Sequence, residues 1–121
     1  MFSSFLLVAL GGALGSVLRY ACSLWIGHLS WQPWVATLIV NVVGSFLIGV
    51  VAGSSTRGGW LSFASVGFCG GFTTLSTFSL QNVVMLQKSN LWGAAAYTAG
   101  TLAICMLATL AGLWVGQQLK R

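Results

Sequence analysis

The residues able to do chemistry in this chain are concentrated between Gly67 and Gln81, which read Gly-Phe-Cys-Gly-Gly-Phe-Thr-Thr-Leu-Ser-Thr-Phe-Ser-Leu-Gln. Three glycines and a run of hydroxyl side chains stand here inside an apolar segment long enough to cross a bilayer. An unpaired backbone group in hydrocarbon costs roughly 2 to 7 kcal/mol, so a simple span keeps its helix intact. Gly70 and Gly71, followed by Thr73 and Thr74, predict instead a stretch of unwound backbone kept inside protein. Carbonyls freed at such a break can hold a cation, and freed amides an anion. Glycines also serve plain close packing between helices. The adjoining hydroxyl run, which includes Ser76, favours the break.

Other polar positions fall into stripes. Thr37, Asn41 and Ser45 recur every four residues, and so share one slowly drifting helix face. The Asn41 amide donates two hydrogen bonds and accepts others, so at mid-membrane depth it needs partners. A lone Asn would be read as a link between helices. As one member of a stripe beside a broken helix, it is expected to line a pore. Tyr97, Thr101, Cys105 and Thr109 form a second stripe at the same spacing. Arg19 has two readings, an electropositive mouth that attracts anions or an interfacial anchor. It lies seven residues from the end of its apolar run at Ile26. That is roughly 10 Å, within reach of snorkelling, whereas full burial would cost about 2.5 to 3.5 kcal/mol. His28 reads as a wet loop residue. Cys22, Cys69 and Cys105 lack the spacing of a metal site and read as small packing residues.

These residues must be positioned by membrane helices. Apolar runs of the roughly 20 residues that a span requires are expected at about 5–26, 35–53, 61–86 and 91–115. The expected fold is an all-α integral membrane protein, one four-span domain over 1–121 with a break in the third helix. No Lys or Arg precedes the first run, so it is expected to stay in the membrane rather than be cleaved as a signal. Gly11 and Gly15 stand four apart, which permits close contact with another small-residue helix. Trp31, Pro33 and Trp34 look like an aromatic belt before a proline-marked helix start.

Composition excludes several classes. With 57% hydrophobic residues, five basic residues and no Asp or Glu in 121, the chain is no soluble domain. Proton exchange through a carboxylate is impossible, which sets aside a small multidrug exporter of the same four-span plan. The five basic residues are scattered, so nucleic-acid binding is not expected. No catalytic cluster is present in the sequence, and the chain is read as a non-enzyme. With four spans, Arg57, Lys120 and Arg121 fall on one side and Lys88 on the other. That bias of three against one, or three against two with Arg19, is weak enough to permit insertion in both orientations.

Over essentially its whole length the chain resembles the small bacterial fluoride-channel family called Fluc or CrcB. The resemblance is strongest at Gly67–Ser79, which looks like that family's third-helix signature. Gly11-Gly12-Ala13-Leu14-Gly15-Ser16-Val17-Leu18-Arg19-Tyr20 and Asn41-Val42-Val43-Gly44-Ser45-Phe46 support it.

The resemblance implies a bacterial inner-membrane channel that lets cytoplasmic fluoride leave passively, conferring fluoride resistance. It implies an antiparallel, dual-topology dimer with two fluoride pores and a structural Na+ at its centre. By position, Gly70 and Thr73 would offer backbone carbonyls to sodium. Phe78 would turn its ring edge to fluoride, and Asn41, Tyr97, Thr101 and Thr109 would line the path, with Thr37, Leu75 and Ser76 beside them. Arg19 matches the family's first-helix arginine, at the vestibule. A ring edge is the positive part of the aromatic quadrupole and can face a small anion without a full charge.

Three positions depart from the family pattern. Leu75 stands where the family usually has a second pore phenylalanine, Gln81 where it has a glutamate, and Cys105 where it has a hydroxyl residue. A homodimer with a relaxed site is one consequence. A non-conducting subunit that completes a heterodimer with a paralogue is the other.

Overall fold

A computed structural model describes residues 1–120, all of them in helices or short connections. Helix α1 runs Phe2–His28 and α2 runs Pro33–Gly53, with Pro33 at the first helical position, where its missing N–H leaves no bond unmade. The third span, Gly58–Gln87, is composite. It begins as α3 (Gly58–Leu61), widens into π-helical turns over Ser62–Cys69 and tightens again as α4 (Gly70–Phe72). After two extended residues it resumes as α5 (Leu75–Gln87). The last helix, α6, covers Leu91–Gln118 and is capped by Asn90, whose Oδ1 accepts from the Gly93 N–H at 2.9 Å. Four segments are thus long and apolar enough to cross a membrane, and the third is interrupted.

The interruption falls within the expected stretch, but on its threonines rather than its glycines. Gly70 and Gly71 are helical, and the extended residues are Thr73 (φ −79°, ψ 160°) and Thr74 (φ −151°, ψ 120°). β-Branched threonine is at home in extended backbone. The glycines meet a different need. A Cβ on Gly71 would lie 2.6 Å from the Gly12 carbonyl oxygen of α1, so Gly71 lets two backbones touch.

Small residues pair the helices. Gly11 and Gly15 of α1 meet the third span at Gly67–Phe72; a Cβ on Gly67 would stand 3.1 Å from the Gly11 Cα. Gly49 and Gly53 of α2 face Gly112 and Gly116 of α6, where a Cβ on Gly49 would stand 3.1 Å from the Gly112 Cα. Lipid tails are as apolar as side chains, so close backbone contact takes the place of a hydrophobic driving force. The interior is correspondingly thin, with Ile26, Val40, Phe72 and Tyr97 among its larger buried members. Large apolar side chains such as Leu10, Val17, Leu107 and Leu110 point outward, as suits a protein surrounded by hydrocarbon.

Candidate functional site

The break at Thr73–Thr74 creates the site. In a continuous helix the Thr74 N–H would bond the Gly70 carbonyl and the Thr77 N–H the Thr73 carbonyl. Instead Thr74 N donates to Asn41 Oδ1 at 2.8 Å, and Thr77 N donates to Thr74 Oγ1 at 3.3 Å, the N-cap of α5. Asn41 Nδ2 in turn donates to the Thr74 carbonyl at 3.0 Å. One amide side chain on α2 therefore satisfies both backbone groups of Thr74, and the carbonyls of Gly70 and Thr73 are released from the helix ladder. Arg19 reaches from α1 to one of them, its Nη1 donating to the Thr73 carbonyl at 3.3 Å. The guanidinium is partly buried and held at the break.

One turn further along, α5 is tied to its neighbours by side chains. Gln81 Nε2 donates to Thr37 Oγ1 on α2 at 2.9 Å, and Tyr97 on α6 donates its hydroxyl to Gln81 Oε1 at 2.8 Å. The adjacent Asn82 accepts from Thr98 Oγ1 at 2.9 Å and donates back to the Phe78 carbonyl at 3.0 Å. The Phe78 ring lies against Tyr97 with centroids 5.0 Å apart and planes inclined by 49°. Trp34 covers Tyr97 from the α2 side at 5.6 Å, so it packs into the protein as well as standing near a helix start.

Between α2, the third span and α6 lies an open cavity of about 440 Å³. Six of the residues given a pore or sodium role line it: Asn41, Gly70, Thr73, Leu75, Phe78 and Thr101. Ser45, Cys69 and Cys105 complete much of its wall. Thr101 is buried, and its Oγ1 has no hydrogen-bond partner. Thr101 also borders a second cavity of about 440 Å³ with Trp34 and Tyr97, so it stands between the two. Leu75 is 74% exposed at the first cavity's rim.

The remaining expected residues lie outside the first cavity. Thr37 is buried and engaged by Gln81. Ser76 is exposed, its hydroxyl 3.3 Å from Thr74 Oγ1. Thr109 donates to the Cys105 carbonyl on its own helix at 3.0 Å. The Gln81, Asn82 and Thr98 links were not anticipated as part of the site. The signal was available in principle, since two consecutive amides in a membrane span must each find a partner. Chemically the site offers neutral donors, one aromatic ring and released carbonyls, with Arg19 bonded at the break. Among the described residues no cluster of His, Cys, Asp and Glu could hold a metal by side chains.

Residues 6–113 match the family described as CrcB-like protein, Camphor Resistance (CrcB). A protein named fluoride-specific ion channel FluC from Paramagnetospirillum magneticum is 41% identical over 122 residues, covering 93% of this chain and 91% of the relative. One of the same name from Serratia proteamaculans is 39% identical, covering 98% of this chain and the whole of the relative. Fluoride-specific ion channel FluC 2 from Bacillus thuringiensis is 36% identical, covering 92% and 95%. With the family match spanning most of its four membrane-length helices, the chain belongs to the CrcB-like family.

Proposed function

We propose that the chain is a passive, fluoride-selective channel of the bacterial inner membrane, and that the cavity bounded by Asn41, Phe78 and Thr101 is part of its fluoride path. The observation that carries this reading is that an asparagine amide, a phenylalanine and a buried, unpartnered hydroxyl converge on one cavity without any acidic group. Fluoride must shed water to enter. Neutral donors can replace that water, since a hydrogen bond is worth about 4–6 kcal/mol in an apolar medium. Asn41 keeps one Nδ2 hydrogen beyond the one given to Thr74, and the Thr101 hydroxyl has its hydrogen free. The edge of Phe78 adds positive quadrupole without a charge that would trap the ion. Thr37, Tyr97, Leu75, Ser76 and Thr109 are the neighbouring positions of the path. Arg19 supplies positive potential at its vestibule, attracting anions.

The same reading assembles two copies in opposite orientations around a structural Na+. The released carbonyls of Gly70 and Thr73 are suitable ligands for a hard monovalent cation. A carbonyl has two lone pairs, so Thr73 can accept from Arg19 and still face an ion. The two carbonyls of one chain do not enclose a cation, and a second copy would add two more, four oxygens in all. Sodium would fix the two breaks against each other.

A second reading, a non-conducting partner in a heterodimer, rests on Leu75, which brings no ring to the cavity rim, and on Gln81. Fluoride release from liposomes holding only this chain separates the two. With valinomycin and a potassium gradient, fast fluoride release without chloride release supports the channel. No release from intact dimer supports the heterodimer partner.

A further inference from the structure

Two thiols look into the same cavity, Cys69 from the π-helical segment of the third span and Cys105 from α6. Both are free, Cys69 buried and Cys105 partly accessible. The unpartnered Thr101 hydroxyl stands on the same wall, one helical turn from Cys105. We infer that this cavity is a binding site for a soft monovalent metal cation of the silver or copper(I) class, with Cys105 as the thiolate ligand. Cys69 and Thr101 are its supporting walls.

The chemistry favours that class. Thiolates select soft cations, while hydroxyl and carbonyl oxygens alone would suit hard ones. The step is balanced as proton release: the Cys105 S–H bond breaks, an S–Ag bond forms, and the proton leaves to water. The product of one thiolate and one monovalent cation is neutral. A divalent ion on the Cys105 thiolate, with buried Cys69 a wall and not a ligand, would keep a positive charge in a low-dielectric site with no carboxylate anywhere in the chain to offset it. Silver is therefore expected to bind where zinc does not. An ion held at Cys105 would also occupy the cavity that Phe78 lines, in the way of any anion using it.

The test uses purified full-length protein in liposomes, in chloride-free nitrate and fluoride media so that silver stays dissolved. Silver is expected to abolish most fluoride release in the wild type and in Cys22→Ser, with recovery on adding excess small thiol and no effect of zinc. Cys105→Ser is expected to be resistant. Equal silver block of Cys105→Ser would overturn the assignment, as would equal block by zinc. The flux readout rests on the channel reading, so a second readout is made without flux. Silver should protect Cys105 from alkylation by N-ethylmaleimide, measured by mass spectrometry, more than it protects Cys22. Equal protection of the two cysteines, or none, sinks the site whether or not the chain conducts. Protection without conduction keeps the site and rejects the channel reading.

Discussion

Asn41 and Thr74 are joined by two hydrogen bonds of 3.0 and 2.8 Å, the amide of one matching both backbone groups of the other. The pairing resembles one rung of a sheet ladder placed inside a membrane helix bundle. It makes Asn41 a keeper of the helix break as well as a residue of the cavity wall. Asn41→Ala should therefore lower stability together with fluoride flux. Two partly buried backbone groups would lose their partners, at about 1–3 kcal/mol each. Thermal unfolding followed by size-exclusion chromatography checks this, and an unchanged midpoint would show that the clamp is dispensable.

Gln81 bridges Thr37 and Tyr97, and removing its amide leaves two hydroxyls of buried residues without that partner. Gln81→Leu is expected to cost about 1–3 kcal/mol and to lower flux. Gln81→Glu should do neither, because a carboxylate accepts from both hydroxyls and Thr37 can turn its hydrogen toward it. Comparing melting and efflux of the two variants decides the point.

Glycines of α6 separate sharply by position. A Cβ on Gly112 would strike the backbone of Phe46 and Val50, whereas one on Gly100 meets nothing within 4 Å. Gly112→Ala is expected to destabilise by about 1–3 kcal/mol through overpacking. Gly100→Ala should be tolerated or mildly stabilising, since alanine exceeds glycine in helix propensity by about 0.8–1 kcal/mol. Yield of folded protein in detergent reads both.

Phe78 and Leu75 test the ring edge. Phe78→Leu removes the ring packed on Tyr97 and should reduce fluoride flux with a modest stability loss. Leu75→Phe places a ring at a position already 74% exposed in the single chain, so it should fold normally. Fluoride efflux equal in Phe78→Leu and wild type would remove that ring from the path.

Arg19 holds the Thr73 carbonyl and carries positive charge at the break. Arg19→Gln retains a hydrogen-bond donor without the charge, so it separates the two roles. Flux should fall while the melting temperature holds. A fall in melting temperature with flux intact would make Arg19 a structural anchor.

Much of the fold was legible because its signals are local. Apolar runs of membrane length, Pro33 at a helix start and paired small residues in α1 are read within one or two turns of chain. The break was legible only in outline. Gly70 and Gly71 drew attention to themselves as weak helix formers, yet they are needed where α1 and the third span touch. The extended conformation falls instead on Thr73 and Thr74, whose backbone groups find partners elsewhere. Thr109 shared a stripe with Thr101, but its hydroxyl turns back to its own helix.

By itself the sequence determined a membrane protein of four spans without carboxylates, with its polar residues gathered in the third span and in two stripes. Solvation decides such features, and solvation depends on composition over short windows. The tertiary structure alone decided the partners: Asn41 on Thr74 from 33 residues away, Arg19 on Thr73 from 54, and Gln81 between Thr37 and Tyr97. Freed backbone groups in a membrane must be satisfied, and which side chain does so depends on helix packing that no spacing along the chain records.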